Sequence, residues 1–234
     1  MLFENTNDLQ AAAKAALQAN SGEALVVTLD VECRDLTAGR DCLSWAILVG
    51  VGQVDGGTVH VFGAMRLGAR EFKSSVKGVD FFDENILPYM EGMPHVESAH
   101  ECREAFWEVY TTLNAIAADA GVDAEWWSDV NVPVESDFLS GCQHDNVEAR
   151  RWKLPCPLLD FVGIFRAHGL RKQADMCGGT DEWKRVKVAG GTDKVLAVFE
   201  TLELPEKIGQ HHPLFDCVAS LMAAQKISGG GFRT

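Results

Sequence analysis

Two carboxylates, Asp30 and Glu32, lie one residue apart inside the apolar run "LVVTLDVEC" at 25–33. The aliphatic residues of this run predict a strand at about 24–33, and residues two apart on a strand point to the same face. Asp30 and Glu32 should therefore project together, with the apolar neighbours on the other face. Like charges this close repel, and a bound divalent cation removes that penalty. The ordinary alternative is a strand end that emerges into solvent.

A histidine and an acid open the last predicted helix, in "HHPLFD" at 211–216. Pro213 suits the first turn of a helix, which places Asp216 within that turn and His211 in the loop just before it. An imidazole can take a proton from water at neutral pH, as a general base beside a metal site must. The adjacent His212 could equally be the base or a helix cap, and a surface His pair is the ordinary alternative.

A third acidic element, "NVPVESDFL" at 131–139, follows the predicted short strand "AEWWSDV". Glu135 falls early in the helix that this element begins, where it could join the other acids. The helix macrodipole alone also favours an acid at a helix N-terminus.

The predicted helices and strands that would position these groups follow two patterns along the chain, first a group of strands and then alternating strands and helices. An amphipathic helix is predicted at 6–19, before the first strand. The segments "CLSWAILVGVGQV" and "GTVHVFGAMRL" read as two further strands joined by the turn "DGG", so three antiparallel strands open the domain. A long helix in 98–121 and alternating strands and helices follow, including a helix in 192–204 and the last one in 211–227.

Length and composition favour one globular domain. The chain has 234 residues, of which 47% are hydrophobic and 24% are charged, enough apolar surface for one large core. We expect a single domain over 1–234, with a core at about 24–226, an N-terminal helix within 1–20 and a flexible tail at 228–234. The glycine-rich, irregular stretch 171–191 is a candidate flap.

The charge of the chain and its lack of targeting signals indicate where the protein is expected to be and which partners it disfavours. No apolar stretch approaches the roughly 20 residues of a membrane-spanning helix, and we see no export signal, so we expect no membrane association and a cytoplasmic protein. Seven cysteines without a C-x-x-C pair favour reduced thiols. The net charge of −13 disfavours general adhesion to a polyanion, so a nucleic-acid substrate would need metal ions or local cations. The densest basic spots are Arg150, Arg151, Lys153, Arg166, Arg171, Lys172, Lys184, Arg185 and Lys187.

The order of the three acidic elements resembles the DnaQ-like 3′→5′ exonucleases of the DEDDh type. "TLDVECRDL" is similar to the first exonuclease motif of that family, and "HHPLFDCVASL" to the third, usually H-x-A-x-x-D, with Pro213 in place of the usual Ala. "NVPVESDFL" is similar to the second motif, usually N-A-x-F-D-x-x-x-L, which aligns Asn131 with the Asn and Glu135 with the metal-binding Asp. The resemblance extends over about 24–226.

The resemblance implies a fold, a reaction and a set of ligands. The fold is α/β, a ribonuclease H-like mixed sheet of three antiparallel strands followed by parallel strands, flanked by helices. The reaction is hydrolysis of phosphodiester bonds from the 3′ end of single-stranded RNA or DNA, with release of nucleoside 5′-monophosphates. Two divalent ions, Mg²⁺ or Mn²⁺, would be held by four carboxylates, with His211 as the general base. The metal ligands are then Asp30, Glu32, Glu135 and Asp216, and the catalytic residues are these four and His211.

Several alternatives stay open at this level. Glu stands where the family has Asp, so Asp129 at the strand end or Asp137 two residues later could replace Glu135 as the third carboxylate. The two departures from the motifs, Glu135 and Pro213, are also compatible with a weak or inactive exonuclease-fold protein that binds nucleic acid or a protein partner. The resemblance further implies a homodimer, and no motif discriminates RNA from DNA.

Overall fold

The computed structural model of the chain describes residues 1–33, 42–70, 84, 86–90, 92–129, 134–151, 153, 158–167 and 212–233. The helices of this part are α1 (Thr6–Ala19), α2 (Leu87–Met90), α3 (Ala99–Asp119), α4 (Ser136–His144), α5 (Val147–Arg150), α6 (Phe161–Ala167) and α7 (Pro213–Ser228). The strands are β1 (Ala24–Cys33), β2 (Cys42–Gly52), β3 (Thr58–Ala69), β4 (His95–Val96), β5 (Ala124–Ser128), β6 (Leu159–Asp160) and β7 (Gly231–Arg233).

The seven strands form one mixed sheet. Its order is β4–β3–β2–β1–β5–β6, and β7 also pairs with β3. The pairs β1–β2 and β2–β3 are antiparallel, whereas β5 runs parallel to β1 and β6 runs parallel to β5. The predicted fold class is therefore confirmed: three antiparallel strands are followed by parallel strands, consistent with a ribonuclease H-like fold.

Helices cover both faces of this sheet because its central strands have apolar residues on both faces. Leu25, Val27, Leu29 and Val31 of β1 belong to a core shared with α1 and α3. Val26 of β1, Ala46 of β2 and Ala64 of β3 instead pack with α6 and α7. We call this second side the α7 face. The central strand β1 is thus buried on both sides, and any charge on it is placed inside the molecule.

Local signals in the sequence account for the helix ends near the sheet. The side chain of Asn5 accepts a hydrogen bond from the backbone N–H of Asp8 and caps α1, and Ser98 caps α3 in the same way through Glu101. The predicted helix at 6–19 and the predicted strand at 24–33 are both confirmed. The predicted flap at 171–191 and the predicted helix at 192–204 lie outside the described residues.

The prediction of a flexible tail at 228–234 is wrong for residues 231–233, which form β7 and pair in parallel with β3. Gly229 ends α7 with a φ of 77°, a left-handed conformation that glycine adopts readily. Gly230 then passes so close to the turn between β2 and β3 that a Cβ atom there would lie 2.0 Å from the carbonyl oxygen of Gly57. A run of glycines that looks flexible in sequence is therefore used for close backbone contact.

Among the helices in the described ranges, none has both the length and the apolar character needed to cross a membrane.

Candidate metal centre

Asp30 and Glu32 lie on the α7 face of β1. Asp30 pairs with Ala46 of β2 and Glu32 pairs with Ser44, so all four residues share that face. Leu29 and Val31 belong to the core on the opposite side, and the predicted division of the strand is confirmed. Only 8% of Asp30 is exposed, so its carboxylate is held within the protein rather than at a solvated strand end.

Helix α7 brings a third carboxylate to the same place. Pro213 occupies the first turn, as its fixed φ allows. The Sγ atom of Cys217 lies 3.6 Å from the carbonyl oxygen of Thr28 and 3.4 Å from that of Ala46, which seats this turn on β1 and β2. Asp216, one residue earlier, is 9% exposed, and its carboxylate lies close to those of Asp30 and Glu32 on β1.

Three carboxylates from the two ends of the described chain thus meet. One carboxylate oxygen from each of Asp30, Glu32 and Asp216 lies within 4.8 Å of the others. Three like charges this close are costly to keep ionised where water is scarce. A set of oxygen donors with this formal charge suits a hard divalent cation such as Mg²⁺ or Mn²⁺. The donor chemistry of the cluster therefore fits the implied metal.

The structure gives a structural role to one of the two histidines. The backbone N–H of Leu214 donates to Nδ1 of His212 at 3.1 Å, so His212 is the N-cap of α7. Its side chain is fully buried. A ring nitrogen that accepts from the backbone is not available to accept a proton from water. His211 lies outside the described residues.

The position of the remaining carboxylate differs from that of the other three. Glu135 is 6% exposed and directly precedes α4, but it is not in the group whose oxygens all lie within 4.8 Å. Asp129 directly follows β5, whose last residue, Ser128, pairs with Leu29 in the parallel register of β1 and β5. Asp137 lies in the first turn of α4. Glu135 and both of its alternatives are thus close in sequence to the end of β5 that adjoins Asp30.

A second group of metal-ligand type lies away from this centre, between α3 and α4, and consists of His100, Glu104 and Asp145. Arg103 donates two hydrogen bonds to Asp145, at 2.6 and 3.0 Å. Arg150 donates to Glu104 at 2.5 Å. Both carboxylates are therefore neutralised by guanidinium groups, and this group holds helices together rather than presenting a charge that needs a metal.

This second group makes stability depend on pH. Burial would raise the pKa of Asp145, but hydrogen bonds from Arg103 and its charge, with a smaller contribution from His100, hold that pKa below the ordinary value of 3.8. A lowered pKa in the folded state gives stabilisation that is present above the unfolded pKa and is lost as the pH falls through the folded pKa. Arg103→Met should therefore lower the free energy of unfolding by about 2 kcal/mol at pH 7. The loss should shrink below about pH 4, as urea denaturation at pH 7 and pH 3 would measure.

Arg70 offers a matched control for Arg103. It pairs with Glu97 at 3.1 Å, but the two side chains are 65% and 73% exposed. Arg70→Met should change the free energy of unfolding by less than about 1 kcal/mol at either pH. An Arg103→Met loss that is equal at pH 7 and pH 3 would contradict the assignment to the Asp145 carboxylate.

Some cations and aromatic residues near the predicted motifs have structural roles. Arg150, in the first basic spot, is 6% exposed, donates to the carbonyl oxygen of Cys142 and lies 4.8 Å from the ring centroid of Trp107. Arg150 is therefore neither a solvated cation nor a free phosphate contact. Trp126 is buried in the core, and Trp127 stacks on Phe161 with 5.3 Å between ring centroids. The basic residues from Arg171 to Lys187 lie outside the described part of the chain.

Two groups on the α7 face were not singled out from the sequence. Arg66 of β3 is 2% exposed, pairs with Ala46, and donates to Glu4 at 3.1 Å. In the sequence, Arg66 is the one charged residue in the apolar segment "GAMRLGA", and this could have marked it as a buried charge. His95 of β4 pairs with Gly68, and a two-residue strand has no periodicity that sequence reasoning could detect.

No protein-family model matches the chain, and a search of curated proteins finds no match.

Proposed function

We propose that this chain is a metal-dependent 3′→5′ exonuclease of the DEDDh type, which hydrolyses the terminal phosphodiester bond of single-stranded RNA or DNA and releases nucleoside 5′-monophosphates. The observation that carries the proposal is the meeting of Asp30, Glu32 and Asp216 within 4.8 Å. These are three of the four acids that the motif resemblance implies. The sheet order supports the same family, since the first strand is central and carries the first motif.

The proposed metal ligands are the three clustered carboxylates and Glu135. Two bound divalent ions, Mg²⁺ or Mn²⁺, would supply an activated water and neutralise charge on the phosphate and the leaving oxygen. The protein supplies a rigid frame, because Asp30 and Glu32 are fixed on a strand buried on both faces and Asp216 is fixed on a helix seated against it.

His211 is the proposed general base. It directly precedes His212, whose Nδ1 is engaged in capping α7. A base at this position would take a proton from the attacking water close to Asp216. The cap fixes the first turn of α7, and in this way His212 would position both its neighbour and Asp216.

The chain itself limits how substrate is held. With a net charge of −13, affinity for a polyanion would depend on the bound ions and on a few local groups.

The location and the assembly are also part of the proposal. The described residues include four buried free thiols, which support a reducing compartment such as the cytoplasm as the proposed location; they are Cys33, Cys102, Cys142 and Cys217. A homodimer is the proposed assembly, on the resemblance alone.

A second function is favoured by one observation. Glu135 does not join the group of three acids in the structure, and a site that holds one ion instead of two would bind nucleic acid or a protein partner with little or no cleavage. This alternative keeps the fold and the metal-dependent stability but not the reaction.

A cleavage assay tests the proposal. A single-stranded oligonucleotide labelled at its 3′ end, as RNA and as DNA, should release labelled mononucleotide in Mg²⁺ or Mn²⁺, and EDTA should stop the release. An oligonucleotide with a blocked 3′ end should resist. Cleavage that survives EDTA, or internal cuts without mononucleotide, would contradict the proposal. No cleavage together with a rise in melting temperature on adding Mn²⁺ would favour the binding alternative.

A further inference from the structure

Two buried hydroxyl groups lie on the α7 face, behind the acidic centre. Thr28 of β1 is 0% exposed and Ser220 of α7 is 1% exposed. Among the described residues, neither hydroxyl oxygen has a hydrogen-bond partner. A buried polar group in this state destabilises a fold, and native proteins keep few of them. These two hydroxyl groups therefore call for a role other than holding the fold together.

Thr28 precedes Asp30 on the same face of β1. Residues two apart on a strand point to the same side, with about 6.8 Å between them. Thr28 pairs with Leu48 of β2, which belongs to the core under α7, so its side chain faces that helix. The Oδ2 atom of Asp30 is itself buried. One oxygen of this carboxylate is therefore directed into the protein, on the side where Thr28 lies.

Helix α7 runs back along β1, away from the acids. The helix begins beside the acidic centre, and near its other end Gln225 donates to the carbonyl oxygen of Gln53 at 3.2 Å, just past the end of β2. Because β2 is antiparallel to β1, that end of β2 lies beside the start of β1. Successive turns of α7 therefore pass over successively earlier residues of β1.

The spacing of the two elements places Ser220 near Thr28. Ser220 is about 6 Å along the helix from Asp216, which is close to the distance along the strand from Asp30 to Thr28. Around the helix, Ser220 lies about 40° from Asp216 and about 60° from Cys217. Both of these residues lie against β1, so Ser220, between them, faces the sheet. The two hydroxyl groups thus form a layer directly behind two of the carboxylates.

We propose that Thr28 and Ser220 are positioning residues of the metal centre, whose hydroxyl groups hydrogen-bond to the inward-facing oxygens of Asp30 and Asp216, directly or through one enclosed water molecule. This inference rests on the proposed metal-dependent function and adds the groups that hold two of its ligands in place. A carboxylate that is fixed from behind keeps its other oxygen directed at the cation, and such outer contacts affect metal affinity strongly.

The test measures Mn²⁺ binding and stability in the same variants. Thr28→Val keeps the size of the side chain and removes the hydroxyl group, and Ser220→Ala removes the hydroxyl group alone. Each change should raise the Kd for Mn²⁺ about tenfold, measured from the electron paramagnetic resonance signal of the free ion. Without metal, the melting temperature should stay the same or rise, because a buried hydroxyl group without a partner has been removed.

Thr28→Ser reverses the two effects. It keeps the hydroxyl group and removes one buried methyl group, so without metal it should melt about 2–4 °C lower. Its Kd for Mn²⁺ should stay near that of the natural chain. A role in packing alone would predict the opposite order of the valine and serine variants in Mn²⁺ affinity.

Ser128→Ala is the matched control. Ser128 is also 0% exposed, and its hydroxyl group also has no hydrogen-bond partner in the described part of the chain. It pairs with Leu29 and so lies on the opposite face of the sheet. Ser128→Ala should leave the Kd for Mn²⁺ unchanged.

The outcomes separate this inference from the function on which it rests. If the natural chain does not bind Mn²⁺, or Asp30→Asn binds it equally well, both proposals fail. If the natural chain binds Mn²⁺ at the acids but Thr28→Val and Ser220→Ala keep its Kd, or lose affinity and metal-free stability together, the positioning role is wrong and the metal centre stands. Mn²⁺ binding that weakens as expected in a chain without nuclease activity would support the positioning role and overturn the exonuclease.

Discussion

Replacing Asp30 with asparagine is expected to abolish metal-dependent release of mononucleotides, with a loss of about a thousandfold or more, because a metal ligand contributes several kcal/mol to the transition state. The variant should still fold. Asn has nearly the same size as Asp, and the change removes one of three crowded like charges at a site that is 8% exposed. The assay on a 3′-labelled strand, with melting curves with and without Mn²⁺, measures both effects.

Asp123→Asn is the control for Asp30, since Asp123 is exposed and precedes β5 at the end of the sheet away from the acids. The natural chain and Asp123→Asn should both melt at a higher temperature when Mn²⁺ is added, whereas Asp30→Asn should lose most of that rise. Full nuclease activity in a folded Asp30→Asn protein would contradict the role of the acidic centre.

The second large effect is expected at His211, and its neighbour should behave differently. His211→Ala should lower kcat by about 10²- to 10⁴-fold, because a general base is lost, and should leave the melting temperature nearly unchanged. His212→Asn should keep most of the activity, since Asn is also a good N-cap. His212→Ala should lower the free energy of unfolding by about 1 kcal/mol.

Steady-state rates and urea denaturation of these three variants separate the base from the cap. The assignment of the two histidines would be reversed if His212→Asn lost activity by the larger factor while His211→Ala stayed active.

The sequence predicted what depends on local periodicity. The alternation along β1 placed Asp30 and Glu32 on one face because the period of a strand is two, and the structure has Leu29 and Val31 in the opposite core. Pro213 placed the start of the last helix for a similar reason, since proline fits only the first turn. These features put Asp216 in reach of β1.

What the sequence could not predict depends on contacts between distant segments. Whether His212 caps the helix or faces the substrate depends on the backbone conformation before Pro213, which no pattern encodes. Arg150 looked like a solvated cation, but Glu104 on α3 and the carbonyl of Cys142 bind it. The tail at 231–233 became a strand only because β3 offered an open edge there.

The choice of the fourth metal ligand illustrates the same limit. Sequence placed Glu135 after β5 by its motif, and the structure places it at the start of α4, buried. The parallel register of β1 and β5 ends at the pair Leu29–Ser128, one residue before both Asp30 and Asp129. Register between strands is a tertiary property, so the sequence alone could not rank these two acids.

Anomalous diffraction from crystals grown with Mn²⁺ would locate any metal bound at the acidic centre. Strong manganese density is expected among the carboxylates of Asp30, Glu32 and Asp216, and this density should be lost in Asp30→Asn crystals. An empty acidic centre under these conditions, or manganese bound at His100, Glu104 and Asp145 instead, would contradict the proposed metal centre.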